Sequence, residues 1–143
     1  MTSLKSALLD SSARPSVVSD LNELVDAEVS KKGIAVKSGY GLVKKIKPGI
    51  IEAAIDSLLD DFVQRLEPFY ADFAQSGGGS FGDYLAGRSD EVSDAMLAVT
   101  DERAERSQRE TIKKVYNKLR PQGKKNVEEA LPALGGVLQK YTG

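Results

Sequence analysis

The stretch Ile50-Ile51-Glu52-Ala53-Ala54-Ile55-Asp56-Ser57-Leu58-Leu59-Asp60-Asp61-Phe62-Val63-Gln64-Arg65-Leu66 decides the fold class. Its apolar residues come as pairs four apart: Ile50-Ile51, Ala54-Ile55, Leu58-Leu59 and Phe62-Val63, followed by Leu66. A strand does not read this way, because its side chains alternate faces with a period of two. A helix does, since residues three and four apart share a face. A repeat of four overshoots the 3.6 residues of one turn, so the apolar stripe drifts around the helix by about 40° per repeat. Along the whole stretch it winds around nearly half of the helix. One flat neighbour cannot cover such a stripe, whereas two or more crossing helices can. The pattern predicts a central helix near residues 48–66, with Leu58 and Leu59 both costly to truncate.

Outward from this helix the chain reads as helical almost throughout. Ser11 or Ser12 is placed to cap a helix entered through Pro15, carrying Val17, Val18, Leu21, Leu24, Val25 and Val29 and stopping at Gly33. A second helix spans roughly Ile34 to Ile46. Gly39 and Gly41 inside it each cost about 1 kcal/mol of helix propensity against Ala, so it is either weak or closely approached there. Pro68 is expected to break or kink the chain after the central helix, before the aromatics Phe69, Tyr70 and Phe73 and the loop Ser76-Gly77-Gly78-Gly79. Ser80 with Asp83 resembles a cap for a short turn, and a longer helix starts at Ser89, whose nearly all-polar stretch from Asp101 to Glu110 is either solvated on every side or broken near Ser107. Apolar spacing resumes at Ile112, Val115, Tyr116 and Leu119; Pro121 to Gly123 read as a turn, and a last helix closes the chain. Tyr40 and Tyr116 each precede a basic stretch and a proline-glycine turn, an echo with too few matches to mark a repeat. The expected architecture is all-α: one domain over residues 1–143, a bundle of about five to seven helices around the central one.

With 143 residues and an apolar fraction of 41%, the chain has the size and the material for one core. It has no His, Cys or Trp. Ser-His and Cys-His nucleophiles, zinc fingers, His-bearing di-iron sites and disulfides are thereby excluded, and no cofactor is called for. Two sequence patterns match and fail on context. Gly77, Gly79 and Gly82 fit G-x-G-x-x-G but follow a helical segment rather than a strand. Gly78, Ser80 and Gly82 fit G-x-S-x-G, yet no His exists to take the Ser80 proton. Glu52, Asp56 and Asp60 lie four apart on one helix face, the pattern of a solvated surface rather than of a metal site. No apolar run approaches the ~20 residues that span a bilayer, and the first ten residues lack a signal-peptide core. The cytoplasm is the expected location.

Charge is divided unevenly. From Ser30 to Ile51 there are six lysines and no acid; from Glu52 to Glu102 twelve acids stand against Arg65 and Arg88; from Arg103 onward ten bases face four acids. The lysine-rich segments 31–47 and 113–125 either pair with the acidic middle or form a surface for polyanions, whether an anionic membrane or a nucleic acid. Lys37, Lys44, Lys45 and Lys47 are the candidate residues for that surface. Tyr40, Phe69, Tyr70 and Phe73 are candidates for lining an apolar cavity between helices.

Four segments, Ser12-Ala13-Arg14-Pro15, Lys44-Lys45-Ile46-Lys47-Pro48-Gly49-Ile50, Tyr70-Ala71-Asp72-Phe73 and Ser89-Asp90-Glu91-Val92, together with Ala98-Val99-Thr100-Asp101, resemble a family of small all-helical actinobacterial proteins of unknown function. The resemblance spans nearly the whole chain and implies no catalytic residues. The functional expectation is a non-enzymatic helical protein that acts through contact with another protein or with itself, probed against two alternatives: polyanion binding and carriage of a small apolar ligand.

Overall fold

The computed structural model describes residues 3–142, and seven helices among them account for all regular structure. They are α1 (Leu4–Leu8), α2 (Arg14–Ser30), α3 (Ile34–Ile46), α4 (Ile50–Gln75), α5 (Phe81–Gly87), α6 (Ser89–Glu105) and α7 (Glu110–Thr142). The predicted central helix is α4, and it buries Leu59, Val63, Leu66, Tyr70 and Phe73. α1, α2 and α6 all pack along it, as a stripe that winds around a helix demands. The buried side chains form one cluster, completed by Leu4 and Leu8 of α1, Val17 of α2, Phe81 and Leu85 of α5, Val92 of α6, and Leu131, Leu134 and Leu138 of α7. α3 contributes no buried residue.

Three expectations are corrected. Pro68 does not break α4, and Pro121 to Gly123 make no turn; both helices continue through these residues. A proline inside a helix costs about 3 kcal/mol through a lost hydrogen bond and a clash. Here Pro68, Pro121 and Pro132 all lie on exposed faces, where water can solvate the carbonyls left without a donor. Buried side chains on both sides of Pro68 and Pro132 then hold each helix together. The third correction concerns the start of α2. Ala13, not Ser11 or Ser12, is its cap residue, and no side chain bonds there. Asp10 instead organises the approach, its carbonyl accepting the Ala13 and Arg14 N–H groups.

Leu4 and Leu8, four residues apart, anchor a first short helix ahead of the one entered through Pro15. The Glu67 carboxylate of α4 accepts the Leu4 N–H at 2.9 Å and the Lys5 N–H at 3.1 Å, capping α1 from another element.

α5 and α7 cross with their backbones in contact. A Cβ on Gly135 would lie 2.3 Å from the Gly82 nitrogen and Cα, and one on Gly82 would lie 2.3 Å from the Pro132 carbonyl oxygen. Both positions are closed to any side chain. Beside the crossing, the Gln139 amide accepts from the Phe81 N–H and donates to the Gly79 carbonyl. The residues that matched two catalytic patterns therefore have structural roles. Gly77, Gly78 and Gly79 turn the chain at φ of 98°, 112° and 104°, a region L side chains avoid. Ser80 caps α5 by accepting the Asp83 N–H, and Gly82 admits α7.

Candidate functional site

The first half of α4 is not covered as the second half is. Ile51, Ile55, Leu58 and Phe62 are only half-buried. Across from them α2 presents Leu21, Leu24, Val25 and Val29, and α7 lays Val127, Ala130, Leu134 and Leu138 along the floor. Met96 of α6 and Val36 of α3 complete an open groove of about 410 Å³. Its size falls within the ~300–1,000 Å³ of small-molecule sites. Glu28, Lys32 and Asn126 are its polar residues. Lys32 is ion-paired with Glu129, and Glu28 is paired with Lys31 at 2.9 Å. Such a lining can hold an apolar ligand by removing its surface and the groove's from water. It presents no nucleophile with an adjacent base.

A larger depression of about 650 Å³ lies along the outward face of α4, between Lys5, Asp60, Asp61, Gln64 and Glu67. Its carboxylates are already engaged. Asp56 and Asp60 receive the Arg14 guanidinium at 2.8 and 3.2 Å, Asp61 meets Arg103 at 3.3 Å, and Glu67 caps α1. The acidic ladder of α4 is thus partly a clasp for α2 and α6. Among the described residues no group of His, Cys, Asp or Glu is arranged to hold a metal ion.

Two segments expose further large apolar side chains. Ile34, Val36, Leu42, Val43 and Ile46 of α3 and Ile112, Val115 and Leu119 of α7 are all exposed, Ile34 at 84% and Ile46 at 75%. At 100° per residue, Ile112, Val115 and Leu119 fall on the same face of α7 as Asn126 and Ala130, which line the groove. The apolar floor therefore continues outward along α7 beyond the part that α2 covers.

The sequence-derived candidates separate into distinct groups. Lys37, Lys45 and Lys47 are exposed and have no ion-pair partner among the described residues, whereas Lys44 reaches Asp26 at 3.1 Å. The second basic segment is largely neutralised by α6. Arg120 meets Asp101 at 2.8 Å and Asp94 at 3.7 Å, and Lys124 meets Asp90 at 2.5 Å and Asp94 at 3.0 Å. The four aromatic candidates do not line a common cavity. Tyr70 and Phe73 belong to the core, where Tyr70 meets Phe81 edge to face at a centroid distance of 5.4 Å and Phe73 lies tilted against it at 5.1 Å. Phe69 packs half-buried against that cluster, and Tyr40 stands apart on α3. Helical spacing from Leu59, Val63 and Leu66, which are buried and also floor the groove, carries Tyr70 and Phe73 on into the core beyond it. The aliphatic groove residues were visible in the sequence as apolar periodicity, but nothing there marks a stripe as uncovered.

A family of unknown function (DUF6918) matches residues 4–142. The chain belongs to that family. The match spans all seven helices, so the groove and both exposed apolar segments lie inside the DUF6918 region. No curated protein and no solved structure matches the chain.

Four of the five tyrosines bind an aspartate on a different helix: Tyr40 to Asp26 at 2.5 Å, Tyr84 to Asp72 at 2.6 Å, Tyr116 to Asp101 and Tyr141 to Asp20. The faint echo between Tyr40 and Tyr116 has a structural counterpart here. In each, the tyrosine and a base four residues later, Lys44 or Arg120, grip one aspartate of the preceding helix. The phenol hydrogen bond, then the lysine, hold Asp26 and Asp20 below the usual carboxylate range; for Asp101 the Arg120 guanidinium acts first and Tyr116 adds to it. Burial, then the aspartate, push Tyr84 and Tyr141 up to about 12. The Tyr40–Asp26 pair is what fastens α3 beside the mouth of the groove. No atom comes within 4 Å of a Cβ at Gly39 or Gly41, which settles the choice left by the sequence: α3 is an intrinsically weak helix with no close neighbour there.

Proposed function

We propose that the protein binds one apolar chain, the tail of an amphiphile such as a fatty acid, in the groove between α2, α4 and α7. The observation that carries this reading is the groove itself: about 410 Å³, open at one side, with Glu28, Lys32 and Asn126 as its polar lining. The role is non-catalytic, carrying or sequestering the ligand, because the polar lining charges are already paired and lie at the edge of an aliphatic surface. Lys37 and Lys45 of α3, which have no ion-pair partner among the described residues, favour an anionic head group at the open side.

The test is displacement of a fluorescent fatty-acid probe. The unaltered chain should bind the probe and release it to unlabelled fatty acid. Ala54→Trp, which fills the groove from its exposed wall, should weaken probe binding at least ~10-fold with the helical circular dichroism unchanged. Equal probe binding by the two proteins would overturn the reading. Self-association is the second reading, supported by the large apolar side chains exposed on α3 and α7. Sedimentation across a range of concentrations decides it, since a dimer that seals the groove would exclude the probe as it forms.

A further inference from the structure

α3 and the start of α7 each join two features that are seldom exposed together. Thr111 to Val127 contains no acid, and neither does Ser30 to Ile51. Both segments expose aliphatic side chains, and both carry lysines without ion-pair partners among the described residues: Lys37, Lys45 and Lys47 in and after α3, Lys114 and Lys118 in α7. At 100° per residue Leu42, Ala35, Ile46, Gly39 and Val43 of α3 fall within an arc of roughly 100°, while Lys37, Lys44 and Lys45 fall outside it. Tyr40 is turned away from this arc and tied to Asp26.

We infer that α3, with the exposed start of α7, docks the protein on an anionic lipid surface, with Leu42 and Ile46 entering the interface and Lys37, Lys45 and Lys47 against the head groups. Charge complementarity selects this occupant. A helix whose apolar arc is flanked by lysines and that carries no acid lies flat at an anionic bilayer, and its lysine stems reach to the head groups while their hydrocarbon stays with the apolar arc. A second copy of the chain fits less well, because a two-fold contact would set an acid-free face against itself. A nucleic acid gives no reason for exposed Ile34, Leu42 and Ile46, and α3 has neither an arginine nor a free aromatic ring for it. No helix among the described residues is long and apolar enough to cross a membrane, so the contact is with a surface. The inference stands apart from ligand binding in the groove.

The experiment is co-sedimentation of the full chain with phosphatidylcholine vesicles, with and without phosphatidylglycerol. Since the chain has no tryptophan, Ile46→Trp adds a single reporter. The expected result is binding to the anionic vesicles only, weakened by salt, with a blue shift of the tryptophan emission. Replacing Lys37, Lys45 and Lys47 together with Gln should lower the partition on the order of 100-fold, at about fivefold per lysine. Leu42→Ser with Ile46→Ser should also release the protein, while circular dichroism and thermal midpoint hold because both side chains face solvent. Failure of the unaltered chain to bind anionic vesicles at low salt overturns the inference. So does a Leu42→Ser, Ile46→Ser protein that binds vesicles and duplex DNA as the parent does, which would mean a polyanion surface alone. A blue shift without lipid that grows with protein concentration would give the stripe to a second copy instead. Repeating the vesicle arm with Ala54→Trp separates the two sites: docking should persist when the groove is filled.

Discussion

The two ends of the bundle are built from the same two long helices and packed in opposite ways. Where α5 crosses α7, backbone meets backbone at Gly82 and Gly135, and Tyr70, Phe73, Phe81 and Tyr84 fill the space beside them. Where α4 begins, Ile55 and Leu58 look onto an open groove, and α3 leans across the mouth without burying a single residue. One end is closed by contacts that tolerate no added atom, and the other keeps apolar surface accessible.

Substitutions at glycines should break this contrast most severely. Gly135→Ala places a methyl 2.3 Å from the α5 backbone, and neither helix can retreat without opening the core. We expect a loss above about 3 kcal/mol, or no folded protein. Its neighbour Gly136 has nothing within 4 Å, so Gly136→Ala should raise stability by about 0.5–1 kcal/mol. Urea denaturation of the pair measures both.

Next comes a pair of leucines that the sequence could not tell apart. Leu59 is 2% exposed and belongs to the core, so Leu59→Ala should cost about 2–5 kcal/mol. Leu58 is half-buried on the groove wall, and Leu58→Ala should cost about 1 kcal/mol in stability while changing ligand affinity. Equal losses in denaturation would show that the groove is closed in solution.

The tyrosine–aspartate pairs set the response to pH. Asp20, Asp26 and Asp101 have lowered pKa values when folded. Their contribution is complete above the ordinary carboxylate value near 3.9 and is lost as pH falls through the lower folded values. Tyr84 and Tyr141 are raised to about 12, so theirs is complete below the ordinary value near 10 and is lost as pH rises through 12. Thermal midpoints should form a plateau between these limits and fall outside both.

The smallest effect should be the most local. Tyr40→Phe removes the hydroxyl that ties α3 to α2, at a cost of about 1 kcal/mol. Hydrogen exchange should quicken in residues 34–46 and stay unchanged around Gly82 and Gly135. Gln64→Ala, on an exposed face of α4, should stay within ±0.5 kcal/mol and serve as the reference.

Most of the architecture was legible because periodicity is a local property of the sequence. The stripe from Ile50 to Leu66 located α4, and Gly33 and the polar stretch around Ser107 marked real ends. The misreadings all concern what neighbours do. Pro68 and Pro121 are helix breakers in isolation, and only their placement on solvated faces lets α4 and α7 continue. α1 has five residues, too few to be stable alone, and exists because Glu67 and the core hold it. Leu58 and Leu59 look equivalent until it is known which side of α4 is covered. The groove was hidden for that reason: apolar spacing reports that a face seeks a partner, not whether the chain supplies one. The basic segments were legible as charge, but only the structure distinguishes Arg120 and Lys124, bound to α6, from Lys37, Lys45 and Lys47, which face water.

The phenol–carboxylate pairs also give the molecule an optical property. In a chain without tryptophan, tyrosine is the principal fluorophore. An excited phenol is a far stronger acid than one in its ground state, and a carboxylate already hydrogen-bonded to it accepts the proton and quenches the emission. Four of the five tyrosines are held in this arrangement, so the folded protein should be dim at tyrosine wavelengths and brighten as it opens. Each of the four pairs joins a different combination of helices, so replacing one tyrosine at a time with phenylalanine would assign the brightening to the separation of a particular helix pair.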